Sequence, residues 1–193
     1  MKIGIIGKKN IEQVYKLAAS LNDWLAEKDV EVLVEESLGK KINVTNTVAE
    51  EKLQTFIEVV VVLGGDGTFL GVSRLVHEFN IPIVGVNLGA LGFLAEFTQD
   101  EVYSIMDLII KGDYEVEERE MIHATVYKGG SKLDDYIVLN DLVINNGPVS
   151  RIVDLAIYID NSRVTTLKAD GIILSTPTGS TARPAARGQR PSF

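Results

Sequence analysis

The chain has 193 residues, 46% of them hydrophobic, enough to bury a substantial core in one large or two small domains. A formal net charge of -8 and a pI of about 4.8 argue against nucleic acid or an anionic membrane surface as a partner. The absence of cysteine excludes disulfides, thiolate zinc sites and cysteine nucleophiles together, and suits a reducing, cytoplasmic setting.

The opening MKIGIIGKKN is too short, and too quickly polar, for a secretory signal, and no apolar run approaches the ~20 residues that span a bilayer. KIGIIG (2–7) predicts a buried strand. Asn10 is placed to cap a helix, with Gln13 reaching back in a capping box, and Ile11, Val14, Tyr15, Ala18, Leu21 and Leu25 carry the helical period through residue 28. VEVLV (30–34) predicts a second strand, Thr47–Phe56 a helix, and EVVVVL (58–63) a third strand. A helix over 68–79, a strand over 81–86 and a helix over 100–112 follow. Strands apolar on both faces and joined through helices indicate a parallel sheet covered on both sides, whose ligands bind at the strands' carboxyl ends.

From about residue 114 the rhythm changes to period two. Val153, Leu155, Ile157 and Ile159 alternate with Asp154, Ala156, Tyr158 and Asp160, the pattern of a half-buried strand. EEREMIHATVY, DDYIVLNDLVI and KADGIILST read as further strands, separated by KGG, NNGP and DNSR turns. The expected organisation is an α/β domain over 1–113, an all-β domain over 114–182 and an atypical tail over 183–193.

Gly64, Gly65, Asp66, Gly67 and Thr68 form the richest cluster. Its glycines permit positive φ and close approach of a ligand, and the following helix start favours an anion. No Lys-Ser/Thr follows, so it is not a Walker A loop. A carboxylate among phosphate-binding amides needs a task. Asp66 either holds Mg²⁺ against phosphate oxygens or accepts the proton of a hydroxyl attacking a phosphoryl group; a plain Asp-Gly turn is the bland alternative. Asn140 and Asp141 interrupt an apolar strand, where a ribose with vicinal hydroxyls would satisfy them, or an exposed strand end would. STPTGST (175–181) offers hydroxyls and glycine, and NLGALGF (87–93) is a second glycine-rich loop. Arg151, Lys168 and Asp170 flank the β strands as surface charges or ligands. His77 and His123 lack a partner at zinc or triad spacing.

Taken in order, GGDGTFL, GVNLGALGFL, LNDLVI and ADGIILSTPTGSTA resemble the NAD kinase family of bacteria and archaea, from residue 1 to Ala182. Diacylglycerol, sphingosine and 6-phosphofructokinases share the GGDG turn, so lipid or sugar kinases are the rival; the Asn-Asp pair and TPTGSTA point away from them. The resemblance implies a nucleotide-kinase α/β domain, an all-β sandwich that is incomplete over 114–182, and a site between them. It implies ATP-dependent phosphorylation of the adenosine-ribose 2′-hydroxyl of NAD, giving NADP, with Mg²⁺ or another divalent cation. It makes Asp66 the proton acceptor beside Gly67, and Asn140 and Asp141 the ribose contacts. Arg151, Lys168 and Asp170 complete the pocket, and Thr181 and Ala182 meet the adenosine end. No transition-metal site is expected in the protein itself, and a full-length form is expected to be a homo-oligomer.

The pattern breaks after Ala182. Arg183 stands where the family has an aromatic, and the last dozen residues hold three of seven arginines and two of five prolines. A frameshifted or truncated product is the expectation, and a non-catalytic nucleotide-binding fragment is the alternative of a different class.

Overall fold

The computed structural model describes residues 1–89, 92–145 and 152–181. It divides into two compact units, Met1–Glu118 and Arg119–Phe193.

In the first unit, six parallel strands lie in the order β3-β2-β1-β4-β5-β6. They are β1 (Lys2–Gly7), β2 (Glu31–Glu35), β3 (Thr47–Val48), β4 (Val59–Leu63), β5 (Ile83–Asn87) and β6 (Phe97–Thr98). Both faces of β4 are buried. Val59, Val61 and Leu63 join Ile3 and Ile5 in a core with α1 (Glu12–Ala26), α2 (Glu36–Ile42) and α4 (Val102–Lys111). Val60 and Val62 join Ile6, Leu53, Ile57, Val72 and Val76 on the other face, beneath α3 (Asp66–Val76). Side chains alternate across a strand, so one unbroken apolar run serves both layers.

The chain moves outward from β1 through β2 to β3, then returns to β4 on the other side of β1 and continues to β5 and β6. The reversal falls between β1 and β4, and a crevice at the strands' carboxyl ends opens at such a point.

Several local expectations are corrected. Asn10 does not cap α1: it sits at φ 61 and its amide donates to Tyr15 Oη at 2.8 Å, while Ile11 occupies the cap position without a side-chain bond. Helix α2 was absent from the periodicity because seven residues hold too few turns. It is started by the buried Glu35, whose carboxylate accepts from the Ser37 and Leu38 amides at 2.8 and 3.0 Å. The helix expected over 47–56 is the short strand β3 followed by a 3-10 helix, Glu50–Thr55. Helix α3 begins at Asp66, two residues before the expected start.

The second unit contains three antiparallel pairs: β7 (Ile122–Lys128) with β8 (Ser131–Val138), β12 (Gly171–Ser175) with β9 (Asp141–Asn145), and β10 (Val153–Ile159) with β11 (Ser162–Ala169). DDYIVLNDLVI is two strands, β8 and β9, parted at Leu139-Asn140, and KADGIILST is likewise parted at Asp170. In β10, the alternation holds to Ile157. A register shift at Ile157/Tyr158 then breaks it and Ile159 is 61% exposed. Among the described residues, Leu139 is the one buried apolar side chain of this unit; the remainder of the buried apolar core belongs to the first. The anomalous tail lies outside the described residues.

Candidate functional site

At the reversal point, the chain leaves β4 as Gly64-Gly65 and enters α3 at Asp66. The Lys8 amide donates to Leu63 O at 2.8 Å, and the Gly64 amide to Val86 O at 2.9 Å, tying the turn to the ends of β1 and β5. None of the turn's glycines uses positive φ, contrary to the sequence expectation. Their contribution is space. A Cβ on Gly64 would lie 2.7 Å from Thr68 Oγ1 and 3.2 Å from Lys8 Cβ, so it has no room. Gly65 and Gly67 have nothing within 4 Å of a notional Cβ, so they present bare backbone at the head of α3. The first amides of a helix lack intrahelical acceptors and attract anions.

Asp66 faces the loop after β5. Its Oδ2 accepts the Phe93 amide at 3.0 Å, and its Oδ1 accepts those of Leu94 and Ala95 at 3.1 and 3.2 Å. Burial alone would raise the carboxyl, yet these three donations outweigh it and hold Asp66 below the usual carboxylate range. It is ionised at neutral pH. Cationic Lys8, beside Gly64, and the three amides were missed from sequence. The lysine pair directly after β1 and the glycines of NLGALGF were the available signals.

In the second unit, LNDLVI and STPTGST, 35 residues apart, meet in space. The Thr176 amide donates to Asn140 O at 2.9 Å, its hydroxyl donates to Leu139 O at 2.5 Å, and Thr176 Oγ1 accepts from the Gly179 amide at 3.0 Å. A Cβ on Gly179 would overlap the Asn140 carbonyl. Asn140 Oδ1 is buried and has no hydrogen-bond partner among the described residues, which leaves an acceptor in want of a donor. Asp141 opens β9 opposite Ser175. Residues 177–181 are helical, and the Thr181 hydroxyl turns back to Thr178 O at 2.9 Å. Lys168 is exposed and lies 3.8 Å from Asp154 across the β10–β11 pair; Asp170 is exposed at the bend before β12. Arg151 and Ala182 lie outside the described residues.

His77 Nδ1 is 2.8 Å from Arg74 O, and exposed His123 pairs with Asp135 at 3.2 Å. No group of three His, Asp or Glu among the described residues could hold a metal ion. No described helix is long and apolar enough to cross a membrane.

A glycine turn at the reversal point of a parallel sheet, with a carboxylate heading the next helix, defines an α/β protein with a ligand crevice at the carboxyl ends of its strands. Residues 3–114 match the family model described as ATP-NAD kinase N-terminal domain, and residues 139–190 match the ATP-NAD kinase C-terminal domain. The chain belongs to the NAD kinase family. It is 45% identical to the NAD kinase of Geotalea daltonii over 180 residues, covering 93% of this chain and 63% of that one. It is 46% identical to that of Geobacter sp. strain M21 over 184 residues, covering 93% and 64%. The chain thus spans a little under two thirds of these relatives' length. In fold it is similar to yeast NADH kinase complexed with NADH, with a TM-score of 0.85 at 24% identity over 98% of this chain and 61% of that chain. It is also similar to the NAD kinase from Archaeoglobus fulgidus in complex with ATP, with a TM-score of 0.66 at 22% identity over 98% and 66%.

Proposed function

We propose that this chain carries the machinery for ATP-dependent phosphorylation of the adenosine-ribose 2′-hydroxyl of NAD. The 2′-oxygen attacks the γ-phosphorus, the bond from that phosphorus to the β,γ-bridging oxygen breaks, and ADP leaves with NADP as the other product. The hydroxyl proton passes to Asp66 and then to solvent. Bare amides at Gly65 and Gly67, with Lys8 beside Gly64, receive phosphate oxygens. Asn140 Oδ1 and Asp141 accept from ribose hydroxyls, and Thr181 serves the adenosine end. Arg151, Lys168, Asp170 and Ala182 complete the substrate contacts on this reading.

The observation that carries the reading is the ionised Asp66 carboxylate set at a glycine turn whose outer face is bare. The lipid or sugar kinase alternative is not favoured by the family match, which includes both parts of the chain. Of Asp66's two candidate tasks, proton acceptance fits better. Three N–H groups already occupy both acceptor sites of Oδ1 and one of Oδ2, which leaves no pair of oxygens to chelate a cation but still one site for a proton. A divalent ion therefore belongs to the substrate as metal–ATP, where it neutralises phosphate charge. A cytoplasmic location and self-association of a longer chain are part of the same reading.

The test is NADP formation from NAD, ATP and Mg²⁺. An NAD analogue lacking the adenosine 2′-hydroxyl should remain unphosphorylated, and excess chelator should stop turnover. Phosphorylation of diacylglycerol or fructose 6-phosphate, with none of NAD, would move the chain to the rival class.

A further inference from the structure

The loop from Gly92 to Ala95 closes over Asp66 only because two positions lack side chains. A Cβ on Gly92 would overlap Asp66 Oδ1 and crowd the rest of the carboxylate. Behind the loop, a Cβ on Gly85 would lie 2.8 Å from Ala95 Cα and 3.1 Å from Leu94 O, both backbone atoms that cannot swing aside. Leu94 and Ala95 are themselves buried, so two of the three donating amides are anchored in the core of the first unit.

The hydrogen bonds are unequally shared. A carboxylate oxygen has two lone-pair sites. Oδ1 has filled both, with Leu94 and Ala95, whereas Oδ2 has filled one, with Phe93. Among the described residues no fourth donor reaches the group.

We propose that the Gly92–Ala95 backbone is a cradle that orients Asp66 so that Oδ2 alone is left to meet the acceptor hydroxyl, which makes Gly92 a positioning residue of the reaction. This rests on the kinase reading above. A hydroxyl approaching Oδ2 finds an acceptor direction fixed by Phe93, and it need not break the bonds at Oδ1. The carboxylate is fixed before substrate arrives, so little reorganisation remains for the transfer step. Gly92 touches no substrate on this account; it acts by leaving room for the amides that hold Asp66.

Two measurements on the 193-residue chain decide it. The first is amide hydrogen exchange by NMR, which needs no activity. Phe93, Leu94 and Ala95 should be protected at neutral pH. In Asp66→Ala their exchange should accelerate by roughly 10-fold or more, the amount expected when a hydrogen bond of about 1.4 kcal/mol is lost, while the Val60 and Val61 amides of β4 stay protected. Equal exchange with and without the Asp66 carboxylate overturns the cradle. The second is kinetic. Gly92→Ala should lower kcat by roughly 10- to 100-fold, the scale of a misplaced catalytic group, with KM for NAD little changed. Gly71→Ala, on the helix that Asp66 heads and with open space around it, should leave both constants as they are. Unchanged kcat in folded Gly92→Ala overturns the positioning role. If the parent chain makes no NADP, the kinase reading fails, and the exchange measurement still settles whether the cradle exists.

Discussion

Thr176 holds Asn140 by its main chain: the Thr176 amide donates to the Asn140 carbonyl at 2.9 Å and its hydroxyl to the preceding Leu139 carbonyl at 2.5 Å, while the same hydroxyl accepts from Gly179. One small residue thus joins two motifs through positions, Asn140 and Thr176, that lie 36 residues apart in sequence.

Thr176→Val keeps the shape and removes the hydroxyl. It leaves the buried Gly179 amide without an acceptor, so stability should fall by about 1–3 kcal/mol. Thr176→Ser should recover most of it. Urea unfolding checks both, and a valine variant within about 0.5 kcal/mol of the parent would contradict the assignment.

Asn140 presents the opposite balance. Its Oδ1 is buried without a partner among the described residues. Asn140→Ala removes that unsatisfied acceptor, so the melting temperature should hold or rise. NAD binding should nevertheless weaken by about 1–3 kcal/mol, because a ribose hydroxyl loses its acceptor. Thermal unfolding and NAD titration on one sample separate the two effects. A variant that loses stability and keeps its affinity would show that the side chain serves the fold.

Asp66→Asn is less clean than it looks. The new NH₂ must face either Phe93 N–H or the pair from Leu94 and Ala95, so a donor meets a donor whichever way the amide turns. Turnover should drop by roughly 10²–10⁴, the usual scale for a positioned base, with NAD affinity little changed and the melting temperature lowered as well. Near-normal turnover with Mg²⁺ present would rule out Asp66 as the proton acceptor.

Glu35 supplies a pH test. Burial pushes its carboxyl up, but the Ser37 hydroxyl, the Ser37 and Leu38 amides and the charge of Lys9 outweigh this and lower it. A group lowered by folding stabilises the fold above its unfolded pKa, and that contribution is lost as pH falls through the folded value. The stability gap between the parent and Glu35→Gln should therefore be full at neutral pH and shrink below about pH 4, near the ordinary glutamate value. Urea unfolding at several pH values measures the gap. A gap that is constant with pH would mean the charge of Glu35 contributes nothing.

What was legible in the sequence follows from where the signal resides. Val59–Leu63 announces a strand buried on both faces because every side chain in it is apolar. Asp66 announces itself because a charge in a glycine turn is anomalous. The Phe93–Ala95 donors carry no such mark, since main-chain amides are the same in every residue. Lys8 beside Gly64 is a fact of strand order, which no local pattern contains. The split at Leu139-Asn140 was missed because apolar residues flank it on both sides, so composition alone reads it as one strand.

The uneven distribution of buried side chains has a consequence for the lifetime of the polypeptide. The first unit has a two-sided core around β4, while the second buries Leu139 alone among its described apolar residues and leaves Tyr127, Leu133 and Ile152 more than 60% exposed. Proteases cut where local unfolding is cheap. Digestion should therefore consume the β-rich half first and leave a resistant fragment ending near Glu118, so the persistence of the chain in a cell would be set by its less protected half.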